Sequence, residues 1–128
     1  ESHYTGREQK RPKTVGAYVT DLKSGLTGLK PERIIVDPSA LPLITELRKN
    51  GFTQTPANND VLSGILDVQT MLQTGRLKIY KDCKHTLEEF GVYAWDPDKD
   101  DTVLKVNDHC MDAIRYFVRT KRLVKLRD

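Results

Sequence analysis

A chain of 128 residues, 38% hydrophobic and 30% charged, has the make-up of one ordinary globular domain with a single core, and excludes a disordered chain. No stretch approaches the roughly 20 apolar residues of a membrane helix, and the polar first thirteen residues lack the apolar centre of a secretory signal. The net charge of +3 says less than its distribution: from Ala113 to Asp128 six basic residues (Arg115, Arg119, Lys121, Arg122, Lys125, Arg127) face one acid. A second basic group (Arg7, Lys10, Arg11, Lys13) lies near the start. Clustered positive charge is the footprint of a phosphate-backbone binder, and equally of a solvated helix end. Cys83 and Cys110, without a C-x-x-C pair, read as reduced core thiols.

In chain order, residues 1–13 are an irregular, flexible lead-in. Thr14 caps a helix carrying Val15, Val19, Leu22 and Leu26 at helical spacing, stopped by Gly25, Gly28 and Pro31. Arg33-Ile34-Ile35-Val36-Asp37 is a short β-prone run ending in a carboxylate, suited to a strand buried on both faces of a mostly parallel sheet. Ser39 is placed to cap a second helix (Leu41, Ile44, Leu47), with Pro42 in its first turn and Gly51 closing it.

A short strand over 52–55 precedes a turn, after which Asn58 or Asn59 caps a helix running to about Gln73. Residues 77–80 alternate like a strand, 86–90 suit a short helix and 91–95 an extended segment. The acidic loop Asp96, Asp98, Asp100, Asp101 fails the EF-hand pattern, with Asp101 where Gly is needed and Asn107 where Glu is needed. Asn107 caps a last helix over 108–122. The alternation of helix and strand predicts an α/β fold with a mainly parallel sheet.

Two constellations carry possible chemistry. Asp37 ends an apolar strand, where α/β sheets place their sites; Asp-Pro-Ser is also ordinary turn chemistry, so metal ligand and turn residue both remain open. His109 and Asp112, three apart at the start of a helix, lie on one face roughly 60° apart in azimuth. An imidazole and a carboxylate so placed can reach one metal or one phosphate, and an Asp there also suits the helix dipole. The sequence holds no G-x-x-x-x-G-K-[ST] loop, no G-x-S-x-G elbow and no H-E-x-x-H.

The ordered set Ile34-Ile35-Val36-Asp37-Pro38-Ser39-Ala40, the stretch 47–52, Asn59-Asp60-Val61-Leu62-Ser63-Gly64-Ile65, Gly75-Arg76-Leu77-Lys78-Ile79, Glu89-Phe90 with Tyr93 and Trp95, and Asn107-Asp108-His109 followed by Asp112-Ala113-Ile114-Arg115-Tyr116 resembles the nuclease domain of the large terminase subunit of tailed bacteriophages. The resemblance covers about the whole chain. It implies an RNase H-like mixed sheet flanked by helices, and metal-dependent endonucleolytic cutting of double-stranded concatemeric DNA in an infected, or prophage-carrying, bacterial cytoplasm. Asp37 matches the family's second acid, Asp112 the acid of the C-terminal helix and His109 its neighbouring histidine, together holding two Mg²⁺ or Mn²⁺ ions. Arg115, Arg119, Lys121 and Arg122 are the implied DNA-backbone contacts, a reading that rests on their charge. The implied partners are double-stranded DNA, an ATPase domain, the small terminase subunit and the portal, with no membrane.

The family's first acid, on an early central strand, has no counterpart here: Asp21 stands in a helical context. Residues 1–128 are accordingly expected to form a single partial domain, the C-terminal part of the nuclease, lacking the first strands. Its metal site is expected to be incomplete and its activity weak or lost. The alternatives are a non-catalytic module binding DNA or packaging partners, and another RNase H-like nuclease such as a resolvase or integrase.

Overall fold

The computed structural model describes residues 13–100, 102–104 and 108–123. The lead-in before Lys13, the expected cap Asn107, and Asp101, Lys125 and Arg127 lie outside the described residues. The described chain falls into two compact units, one ending at Ala57 and the other beginning at Asn58.

The first unit contains helix α1 (Val15–Gly25), strand β1 (Ile34–Val36), helix α2 (Leu41–Lys49) and strand β2 (Gln54–Pro56). Thr14 caps α1 as expected, its hydroxyl oxygen accepting from the Ala17 N–H at 3.1 Å. Gly28 and Gly51 adopt positive φ (79° and 78°), the left-handed turn each helix exit requires. Strands β1 and β2 pair in parallel, Ile34 opposite Gln54 and Val36 opposite Pro56. Pro56 has no N–H, and the ladder is completed past it by Ala57 N–H donating to the Val36 carbonyl at 2.8 Å. Val19, Val36, Ile44 and Leu47 form the core, flanked by Leu22, Ile34, Leu43 and Phe52. One residue of α1, one of β1 and two of α2 therefore meet in one apolar cluster.

The second unit contains α3 (Val61–Gln73), α4 (Lys84–Val92) and α5 (His109–Thr120), with α5 packed on both others. The cap of α3 is Asp60, not Asn58 or Asn59: its Oδ1 accepts from Ser63 N–H at 3.1 Å, while Asn58 Oδ1 accepts from Asp60 N–H. Residues 77–80 form no strand. Arg76 and Leu77 instead donate their N–H groups to the Met71 carbonyl (3.0 and 3.1 Å), wrapping the chain around the end of α3 through Gly75 at φ 73°. Alternation needs a neighbouring strand to become one, and Tyr80 stays 85% exposed. Helix α4 also takes in Gly91 and Val92, so the expected extended segment is reduced to Trp95, in an isolated antiparallel bridge with Val103. After Trp95 the chain turns over residues 97–100, Asp98 N–H donating to Asp96 Oδ1 at 2.9 Å. Cys83 and Cys110 form no disulfide, and both are half-buried.

The buried stripe of α5 is Met111, Arg115 and Val118, spaced four and three apart. Phe117 is exposed, and an arginine occupies the centre of the buried face.

Candidate functional site

In the first unit Asp37 follows directly on β1. Its Oδ1 accepts from both the Ser39 N–H (2.9 Å) and the Ser39 hydroxyl (2.8 Å), an Asx turn built within three residues. Ser39 is thereby engaged with Asp37, and α2 starts from Ala40 without a side-chain cap. Pro in the first turn of α2 removes one of the N–H groups a cap would have served.

In the second unit Asp112 and His109 stand in the first turns of α5. His109 is exposed, and Asp112 is half-buried against Arg115. The Arg115 guanidinium, 1% exposed, is the centre of the arrangement. Its Nη2 donates to Asp112 Oδ1 at 3.0 Å and its Nη1 donates to Asn59 Oδ1 at 2.9 Å. Its Cζ also lies 5.0 Å from the Tyr116 ring centre. The aliphatic stem of Arg115 crosses α3 at Gly64, where an added Cβ would lie 2.5 Å from Arg115 Cγ and 2.9 Å from Cδ. Only glycine leaves room for that stem.

Two further groups frame this network. Glu89, 4% exposed on α4, accepts the Cys110 and Met111 N–H groups of α5 through Oε1 (2.8 and 3.1 Å). A carboxylate from a neighbouring helix thus does the capping that Asp108, the residue at the N-cap, does not. The Tyr93 hydroxyl is buried beside the guanidinium without a hydrogen bond of normal geometry. Burial pushes its phenol above the ordinary value and the Asp112 and Asp108 charges add to this, while Arg115 opposes it. Ile65, Val68, Leu72, Phe90, Met111 and Ile114 line an apolar cavity of about 260 Å³ that Tyr93 and Arg115 border.

The sequence pattern of the Terminase RNaseH-like domain matches residues 37–121. The chain belongs to that family. The matched stretch opens on Asp37 and takes in every candidate site residue except Arg122. Among relatives, the large terminase subunit of Salmonella phage P22 is 30% identical over 91 residues, covering 66% of this chain and 18% of that protein. That of Escherichia phage T5 is 25% identical over 118 residues, covering 86% of this chain and 27% of that one. The large terminase of a thermophilic bacteriophage, solved in complex with ADP, superposes with a TM-score of 0.87 at 37% identity, over 93% of this chain and 31% of that one. The chain therefore spans less than a third of these relatives, and the two-stranded parallel sheet with its helices is part of an RNase H-like α/β domain.

Within this terminase domain the residues expected to touch DNA divide. Lys121 and Arg122 are exposed. Arg119 Nη1 is paired with Asp67 Oδ2 of α3 at 3.0 Å. Arg115 differs from the expectation most: a guanidinium this buried, with both Nη atoms spent on Asn59 and Asp112, faces the protein interior. Asn59, Gly64 and Glu89 join the site only in the structure. One sign of Gly64 is available in the sequence, since a glycine inside an otherwise regular helix costs about 1 kcal/mol relative to alanine and asks for a packing reason.

Proposed function

We propose that this chain is the metal-dependent endonuclease segment of a phage DNA-packaging terminase, acting on double-stranded concatemeric DNA inside the infected bacterial cell. The observation that carries the proposal is Asp112: a part-exposed carboxylate at the start of α5, inside the family-matched stretch, with one oxygen held by a buried arginine. Asp37, His109 and Asp112 are the residues that would hold Mg²⁺ or Mn²⁺. Among the described residues no three His, Cys, Asp or Glu side chains are grouped to hold an ion. Magnesium does not require such a group, because it commonly binds through one or two carboxylates and completes its shell with water and substrate phosphates. The donor chemistry therefore fits.

Bound ions would supply activation of a water and stabilisation of charge on the leaving oxygen. The protein's own part is to hold the carboxylates in place and to keep DNA nearby. Lys121 and Arg122, exposed past the end of α5, have the chemistry for phosphate contacts. An ATPase domain, the small terminase subunit and the portal are the partners proposed for the whole protein. No helix among the described residues is long and apolar enough to cross a membrane.

The test is cleavage of supercoiled plasmid with Mn²⁺ by a protein extended upstream to the length of its relatives. Asp37→Asn and Asp112→Asn should each abolish cutting. Asn is preferable to Ala at Asp112 because it preserves an oxygen acceptor for Arg115. Undiminished cutting by both variants would remove these residues from the site. Salt-dependent DNA binding, indifferent to chelators and to both substitutions, with no cutting at all, would instead make the chain a DNA-binding module.

A further inference from the structure

We infer that Arg115 is a positioning residue for Asp112: seated over Gly64 and tethered by Asn59, it sets the direction in which the Asp112 carboxylate is presented to a divalent ion. The inference rests on the assignment of Asp112 as a metal ligand and adds the device that orients it.

Three features of the geometry point the same way. Arg115 is one of the largest fully buried side chains, and burying a guanidinium needs specific compensation. Its two terminal nitrogens are divided between Asp112, one turn back on the same helix, and Asn59, 56 residues away in sequence just before α3. A planar fork can bridge two acceptors at fixed angles, which a single ammonium cannot do. Finally, the stem passes over Gly64 so closely that any side chain there would displace it. The backbone of α3, the side chain of Asn59 and the carboxylate of Asp112 thus define one path for this side chain. A carboxylate free to rotate would present a metal with many geometries; one held by Oδ1 presents few. Groups that hold a metal ligand from behind commonly govern affinity by about 10- to 100-fold.

A positive charge 3.0 Å from the ligand oxygen also repels a cation, so charge and orientation predict opposite outcomes. That opposition makes the test decisive. Direct Mn²⁺ binding to the purified protein, extended upstream as for the cleavage test, is measured by the electron paramagnetic resonance of free Mn²⁺, with thermal unfolding followed without metal. Asp112→Asn should abolish the binding. Asn59→Ala and Arg115→Lys keep the positive charge but lose the tether or the fork; each should weaken Mn²⁺ binding by about tenfold. Arg115→Met should weaken it too, although the repelling charge is gone.

If Asp112→Asn leaves Mn²⁺ binding unchanged, the metal-ligand assignment itself fails, and the inference falls with it. If Asp112→Asn abolishes binding while Asn59→Ala and Arg115→Lys bind as tightly as the unsubstituted protein, Arg115 is structural or a mere charge and the inference is overturned. Tighter binding by Arg115→Met beside unchanged Asn59→Ala would overturn it in the same way. Should Arg115→Met fail to fold, Asn59→Ala decides alone, because Asn59 is exposed and belongs to no core cluster.

Discussion

Asp37 and Asp112 are both carboxylates at the edge of regular structure, but they are held by opposite means. Asp37 is fixed by its neighbours: Ser39, two residues on, gives both its N–H and its hydroxyl to one Asp37 oxygen. Asp112 is fixed by a relay that leaves the local sequence, running through Arg115 to Asn59 and across Gly64, with Glu89 anchoring the helix start from α4. A local anchor is set by the sequence around it and survives wherever the turn forms. A relayed anchor exists only when three helices have docked, so its perturbation should register in stability as well as in the site.

The sharpest way to break the relay is Arg115→Ala. It leaves a half-buried carboxylate without its cation and opens space at the centre of α5, and loss of one partner of a buried pair typically costs about 3–5 kcal/mol. Urea denaturation of the chain should show a loss of this size; a loss under about 1 kcal/mol would mean that the pair is energetically a surface pair. Gly64→Ala should cost about 1–3 kcal/mol through overpacking, even though alanine is the better helix former. The cavity beside Arg115 gives the displaced stem somewhere to go, so this variant should still fold. Gly91→Ala is its control: nothing lies within 4 Å of the added methyl, and the same substitution in α4 should be neutral or stabilising by up to about 1 kcal/mol. The two variants, compared by thermal melting, should move in opposite directions.

At the local anchor the effect should be smaller. Ser39→Ala removes the hydroxyl bond but keeps the backbone N–H bond to Asp37, so the cost should be about 0.5–1.5 kcal/mol, the net worth of one hydrogen bond. A loss as large as that of Arg115→Ala would dissolve the distinction between the two anchors.

The smallest expected effect is a slope in pH. Tyr93 has its folded-state ionisation pushed upward by burial, so the unfolded chain releases its phenolic proton first, near its ordinary value of about 10. The stability tied to the neutral phenol is complete below that pH and is lost as pH rises from there through the folded value. Tyr93→Phe should flatten this part of the stability profile. It should not lower the melting temperature at neutral pH, because the hydroxyl it removes makes no hydrogen bond of normal geometry.

Much of the fold is legible in the sequence for a definite reason. Thr14, Gly28, Gly51 and Gly75 act within a few residues of themselves, and the helices they bound lie where apolar spacing places them, with the cap as expected at Thr14. The parallel pairing of Ile34–Val36 with Gln54–Pro56 agrees with strands separated by a helix. The strand expected over 77–80 does not form because alternation reports an amphipathic surface without reporting whether another strand lies beside it. Asn58 and Asn59 look like caps because consecutive polar residues at a helix start are interchangeable on the page. In space they divide: Asp60 caps, Asn58 supports Asp60, and Asn59 reaches Arg115.

The ordered sequence, by itself, determined the family and named Asp37, His109 and Asp112 as the residues to watch, because motif order and residue type are one-dimensional properties. Only the tertiary structure decided that Arg115 lies inside rather than out, that Gly64 is the gap through which it passes, and that Glu89 caps a helix far downstream of its own. An arginine in a basic run looks solvent-facing until the residues that satisfy its charge are brought beside it. Asn59 and Gly64 come from a distant part of the chain, where no local rule connects them to the carboxylate they help to hold.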